Sequence, residues 1–415
     1  MDHRAALLSG LLIAFVGALV GGDLARRLRM PAVVGQIAAG VLIGPSALNW
    51  LQLGDSVNLL ARLPADFRPE VGAYVKAHSP LNLLAELGAV LLLFTVGLET
   101  KLIDLRKVGK TALLVGVLGV VLPFVLGAGW AFTSGFSSTK AMFVAAAFVA
   151  TSAGITAKVL QEMGALGQVE ARIILGAAVI DDVLAMLLLA VVSGLQTQAG
   201  VDVLNLLKVL GGAIGFVAVV ALLGTYVMRR TSGLLDAPID EESPLIVSFA
   251  ICLALAVASA FVGLAAIIGA FLAGMVLAET PHRKSLEHDF ARVSGILAPF
   301  FFIVTGANVD VKLLANGPVL LSVLVVTVLA TLGKVVGCGF GARSLGRRGA
   351  LAVGVGMVPR GEVGVIVAGI GQQAKVFPST TYAIIVGMSL LTSIIAPPAL
   401  KRLLTTPETE LPVTS

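Results

Sequence analysis

The chain has 415 residues, 57% hydrophobic and only 13% charged, with a mean hydropathy of +1.00 and a formal charge of +5. That balance describes an integral membrane protein. The charge is too small to be a nucleic-acid footprint, and Cys252 and Cys338 fall in apolar runs, where a thiol packs as a small hydrophobe and implies no disulfide framework.

About 20 apolar residues cross a hydrocarbon core. With that ruler the chain reads as an all-α integral membrane protein with thirteen predicted spans. They fall at 5–22, 31–49, 81–98, 110–133, 139–160, 168–193, 203–228, 243–260, 263–279, 290–307, 315–342, 350–371 and 379–403. The first lacks a small-residue cleavage site before the polar patch Asp23 to Arg29, so it reads as a helix and not as a signal peptide. One loop at 50–80, the charged stretch Arg229 to Glu242 and a short tail are the main polar remainder.

Lysine and arginine gather in alternate connections, among them Arg26, Arg27 and Arg29, Lys107 and Lys110, Arg283 and Lys284, and Arg347 and Arg348. By the positive-inside rule this puts the N-terminus outside and the C-terminus in the cytoplasm. Lys208 is near a helix start and snorkels, whereas Lys334 and Arg360 lie inside spans and need partners. The histidines, His3, His78, His282 and His288, fall in terminal or loop positions, and no clustered nucleophile points to an enzyme.

Two pairs of segments repeat in the same order. GQIAAGVLIG from Gly35 matches GAFLAGMVLA from Gly269, and LLFTVGLETKLIDL from Leu92 matches FFIVTGANVDVKLL from Phe301, setting Gly97 on Gly306. Because span nine comes seven positions after span two, an odd offset, the second copy enters the bilayer upside down, which is an inverted repeat. Spans five and twelve then correspond. Each carries helix-breaking chemistry at mid-depth, Ala150-Thr151-Ser152-Ala153-Gly154 in one and Gly356-Met357-Val358-Pro359-Arg360-Gly361-Glu362 in the other. Broken backbone at that depth is tolerated only against protein or a wet cavity, and freed helix ends can hold ions.

Span six carries the strongest signal, the adjacent Asp181 and Asp182. A carboxylate at the bilayer centre costs roughly 2.5–3.5 kcal/mol on insertion scales, so a pair there points to a cation or proton site. Neighbours on a helix point about 100° apart, so one aspartate can meet a partner while the other lines a cavity. The available partner is Lys334, too deep in span eleven to reach the interface. Arg360 and Glu362 either bridge the broken helix to its neighbours or take part in transport directly.

PAVVGQIAAGVLIGPS, LAELGAVLLLFTVGLET, AAVIDDVLAML, LAAIIGAFLAGMVLAE and MVPRGEVG resemble the signatures of the bacterial cation:proton antiporters of the NapA and NhaA type. The resemblance covers nearly the whole chain. It implies a secondary active antiporter that exchanges sodium for protons by alternating access, electrogenic because its pair is Asp-Asp. Carried over by residue, it makes Asp182 the sodium-binding carboxylate and Asp181 the partner of Lys334. Thr151 and Ser152 then stand at the helix-five crossing. It further implies a homodimer in the bacterial inner membrane, built on crossed discontinuous helices, with no cofactor beyond the transported Na+ and H+.

The same resemblance divides the chain into scaffold helices one to three (1–109), core helices four to six (110–193), a linker helix seven (194–242), scaffold helices eight to ten (243–314), mobile core helices eleven to thirteen (315–404) and a tail (405–415). No nucleotide-binding appendage is expected after Ser415. Two alternatives stay open: a potassium/proton antiporter of the same fold, and a sodium-coupled symporter of an organic anion.

Overall fold

The computed structural model describes residues 3–51, 79–100, 107–194, 203–224, 226, 243–314, 316–373, 376 and 378–405. Most of the expected 50–80 loop, the Arg229 to Glu242 stretch, His78 and residues 406–415 lie outside the described residues.

All regular structure among the described residues is helical. The helices are α1 (His3–Arg27), α2 (Ala32–Ile43), α3 (Pro80–Glu99), α4 (Gly109–Thr133), α5 (Ser138–Val149), α6 (Ala153–Glu162), α7 (Val169–Gly194) and α8 (Val203–Val219), which runs on into a π turn, Val220–Gly224. They continue as α9 (Ser243–Phe261), α10 (Ala266–Leu277), α11 (Arg283–Ala307), α12 (Val311–Leu314), α13 (Gly317–Gly341), α14 (Gly346–Gly356), α15 (Gly361–Gln373) and α16 (Ser379–Leu404). Among the described residues, eight helical stretches are long and apolar enough to cross a membrane, and three shorter apolar helices accompany them. The chain is a multi-pass membrane protein.

Two spans depart from the hydropathy reading for physical reasons, and two more are broken where their residues predict a break. The span expected at 31–49 stops as a helix at Ile43, because Pro45 drives Gly44 out of the helical region to ψ 169°. The span expected at 290–307 starts instead at Arg283, in polar sequence that hydropathy ignores; Arg283 Nε reaches Glu287 at 2.5 Å, an i,i+4 pair that supports the added turns. That extension places His288 on a helix and not in a loop. The spans expected at 139–160 and 350–371 are each broken, into α5 and α6 and into α14 and α15.

The helices pack in two groups. In one, α3 lies between α10 and α11, α2 packs on α1 and α11, and α9 packs on α10. In the other, α4 touches α5, α7 and α13, while α16 touches α13, α14 and α15. In lipid there is no hydrophobic drive between helices, so close backbone approach supplies the cohesion. A Cβ on Gly40 of α2 would stand 2.1 Å from the Ile303 carbonyl oxygen, and one on Gly306 of α11 2.1 Å from that of Ile37. Gly97 of α3 and Gly274 of α10 meet in the same fashion, 2.3 Å from the Phe271 oxygen and 2.2 Å from the Phe94 oxygen. Gly35 sits 1.9 Å by the same measure from the Gly21 oxygen on α1, and Gly269 2.0 Å from the Leu255 oxygen on α9.

A side chain at these crossings must push two backbones apart. Gly40→Val and Gly274→Val are each expected to lower stability by at least the ~1–3 kcal/mol typical of overpacking. Gly295→Val on α11, with nothing within 4 Å of its Cβ, should leave stability unchanged. Thermal unfolding in detergent checks the contrast.

Candidate functional site

The site begins with two interruptions that lie against each other. Helix α5 ends at Val149 and α6 starts at Ala153, leaving residues 150–152 extended, and α14 ends at Gly356 with α15 starting at Gly361. Each break satisfies the other's backbone, as the absence of water at membrane depth requires. The Ser152 N–H donates to the Pro359 carbonyl at 2.8 Å, the Thr156 hydroxyl to the Gly356 carbonyl at 2.7 Å, and the Thr151 hydroxyl to the Met357 carbonyl at 3.4 Å. Gly361, at φ +46°, is in the left-handed region, and a Cβ there would strike Ser152 at 2.7 Å. Its N–H donates to the Ser393 hydroxyl of α16 at 3.1 Å.

Arg360 is fully buried and ties this crossing together. One terminal nitrogen, Nη1, donates to the carbonyls of Val149 and Ala150 at 3.0 and 2.9 Å; the other, Nη2, donates to that of Ala330 on α13 at 3.1 Å. Those of Val149 and Ala150 are the carbonyls at the C-terminal end of α5, where the helix dipole leaves partial negative charge, so a guanidinium suits them. Glu362 lies in the first turn of α15, and its side chain is outside the described residues.

Helix α7 runs unbroken past the crossing and carries both aspartates. Asp181 is 1% exposed, and the fully buried Lys334 donates Nζ to its Oδ1 at 2.6 Å. One residue on, Asp182 is half-buried and turns to a narrow cleft. That cleft is lined also by Thr151 and Ala153 at the crossing, by Leu93 of α3, and by Ile267, Ile268 and Phe271 at the α10 end. It therefore opens along the seam between the two packing groups. Asp182 and Thr151 share it; Ser152 is wholly buried in the crossing and is not among its lining residues.

The roles of Thr156 and Ser393 escaped the sequence reading. Thr156 follows the Thr151-Ser152 break within about one turn, a hydroxyl placed to bond across a gap, and that spacing was the available signal. Ser393, on a distant helix, left none. The α10 residues facing the cleft belong to LAAIIGAFLAG, whose apolar character gave no hint that it borders a carboxylate.

A buried carboxylate already matched to a lysine, next to a second one on a cleft between two helix groups, defines an ion-handling membrane transporter. Residues 11–406 match the family model described as sodium/hydrogen exchanger, transmembrane, and the chain belongs to that family. It is 37% identical over 96% of its length to the high-affinity Na+/H+ antiporter NhaS3 of Synechocystis, covering 89% of that protein. It is 32% identical to the Na+/H+-K+ antiporter GerN of Bacillus cereus, with 92% of each chain covered. Its fold is similar to that of the sodium proton antiporter MjNhaP1 of Methanocaldococcus jannaschii at a TM-score of 0.62, 20% identity and coverage of 97% and 98%.

Removing the guanidinium from the crossing strands buried carbonyls that water does not reach. Arg360→Met is expected to destabilise the protein by about 2–5 kcal/mol, read as a lowered melting midpoint. Arg360→Lys, with a point charge in place of a fork, should recover only part of it.

Proposed function

We propose that this chain is an antiporter that exchanges sodium for protons across the membrane, with Asp182 as the ion-binding carboxylate. The single observation that carries this reading is the division of labour between the aspartates: Asp181 is held by Lys334 at 2.6 Å, while Asp182 faces the cleft. Sodium and a proton then compete for the same oxygens, with the Thr151 hydroxyl as a hard-oxygen ligand and Ser152 holding the crossing beside it. Only an occupied Asp182 lets the site move between the two sides, and competition gives exchange.

The opening of the Asp181–Lys334 pair as the ion enters adds a second proton to the cycle and makes exchange electrogenic. The mobile core is the group α4 to α7 with α13 to α16, sliding against a scaffold of α1 to α3 with α9 to α11, and α8 links them. Three contacts between the groups break in that movement: Gln161 Nε2 to Glu99 Oε1 at 3.0 Å, the Ala32 N–H to Glu162 at 3.0 Å, and Lys401 Nζ to the Arg29 carbonyl at 3.3 Å. The scaffold is also the face for a homodimer.

Thirteen crossings, with the broken α5–α6 and α14–α15 each counted as one, would leave the termini on opposite sides, and the lysine and arginine bias of the connections supports the N-terminus outside and the C-terminus in the cytoplasm of a bacterial inner membrane. The inverted repeat draws support from the glycine crossings. Gly35 meets residues 14 and 10 positions before it, Gly21 and Ala25, and Gly269 meets Leu255 and Ser259 at the same two offsets. Gly40 packs on α11 as Gly274, its counterpart, packs on α3. Potassium is a second reading for the cation, favoured by the similarity to GerN, whose name carries both ions.

In proteoliposomes Asp182→Asn is expected to abolish sodium-driven proton movement, and full exchange by that variant would end the proposal. Acidification should weaken the apparent sodium affinity by about tenfold per pH unit below the site's titration point, since each added proton competes for one site. A counter-flow assay with sodium, lithium and potassium in turn decides the ion.

A further inference from the structure

The wall beside Lys334 carries no side chain. Gly119 of α4 faces the lysine stem, and a Cβ there would stand 2.5 Å from Cys338 Sγ, 3.4 Å from Lys334 Nζ and 3.7 Å from its Cδ. Cys338 lies one turn beyond Lys334 on α13, is fully buried, and donates its thiol to the Val115 carbonyl at 3.6 Å, one turn before Gly119 on α4. Cys338 thus closes one end of a slot whose floor is Gly119.

The walls of the slot are held by close backbone packing. A Cβ on Gly337 would lie 2.5 Å from the Leu118 carbonyl oxygen, and one on Gly333 3.0 Å from Pro123 Cα, so α4 and α13 already touch through backbone on both sides of the slot. Gly116, one turn before Gly119, receives Ile180 of α7 with the same tightness, 2.8 Å from a Cβ, and Ile180 precedes Asp181. Helix α4 therefore fixes both members of the ion pair, the lysine over Gly119 and the aspartate's helix over Gly116.

We propose that Gly119 and Cys338 are positioning residues for the ion pair, shaping the slot that delivers the Lys334 ammonium to Asp181. This role rests on the exchange reading of the site. A methyl at 119 would strike the Cys338 sulfur at 2.5 Å and fill the remaining van der Waals room beside the Lys334 ammonium, so the sulfur must move and the contact between Lys334 and Asp181 is disturbed. The pH dependence of exchange then moves, which a general loosening of packing would not cause.

The test is sodium-driven proton movement in proteoliposomes, measured across pH for the wild type, Gly119→Ala and the double variant Gly119→Ala/Cys338→Ala. Gly119→Ala is expected to shift the pH of half-maximal exchange by about one unit, a tenfold change in proton affinity. The double variant, which removes the sulfur that the new methyl would strike, is expected to return most of the way to the wild-type profile. If Gly119→Ala does not accumulate as folded protein, the double variant must restore folding, and Cys338→Val, which adds bulk from the opposite wall, must carry the same shift. A Gly119→Ala profile matching the wild type, or a double variant no better than the single, overturns the proposal. Absence of exchange in the wild type itself would instead strike the functional reading.

Discussion

The ion pair between Lys334 and Asp181 is the constraint on which the other features turn. Two charges withdrawn from water lose solvation worth several kcal/mol each, and their attraction offsets this only in good geometry. Here the geometry is a 2.6 Å contact between groups that are essentially unexposed. A pair so placed adds little to stability compared with apolar packing, so its presence at membrane depth calls for a functional account. Pairing with Lys334 also distinguishes the two aspartates by position: Asp181 is held by the lysine, and the adjacent Asp182 faces the cleft.

Around that pair the two helix breaks hold each other through hydrogen bonds. Thr151, Ser152 and Thr156 on one strand of the crossing bond to Met357, Pro359 and Gly356 on the other, and Arg360 collects the remaining carbonyls of Val149 and Ala150. The third bond from Arg360 goes to Ala330, one turn before Lys334, so the crossing and the ion pair are mechanically one unit. Contacts between this unit and the facing helices are fewer and polar at the α6 end, where Gln161 and Glu162 reach Glu99 and α2. Such contacts exchange readily for water at an interface.

Local chemistry made much of this visible from the chain alone. Charges inside apolar runs marked Asp181, Asp182, Lys334 and Arg360, because burial without a partner is costly whatever the fold. Proline and glycine marked the break at Pro359 and Gly361, although whether α5 and α6 would kink or part was decided by hydrogen bonds to a segment some 200 residues away, which no local pattern encodes. The start of α11 at Arg283 was missed because hydropathy sees the membrane and not the helix that continues into the polar zone. The slot at Gly119 was hidden for a different reason: one glycine among 47 acquires meaning only from what packs over it.

Sodium binding to purified protein, followed together with the protons released on binding, tests the central claim most directly. Competition at Asp182 predicts that sodium binding expels protons into a weakly buffered solution, and that both the release and the apparent affinity vanish in Asp182→Asn. Sodium binding with no proton release, at an affinity that does not change with pH, would contradict it.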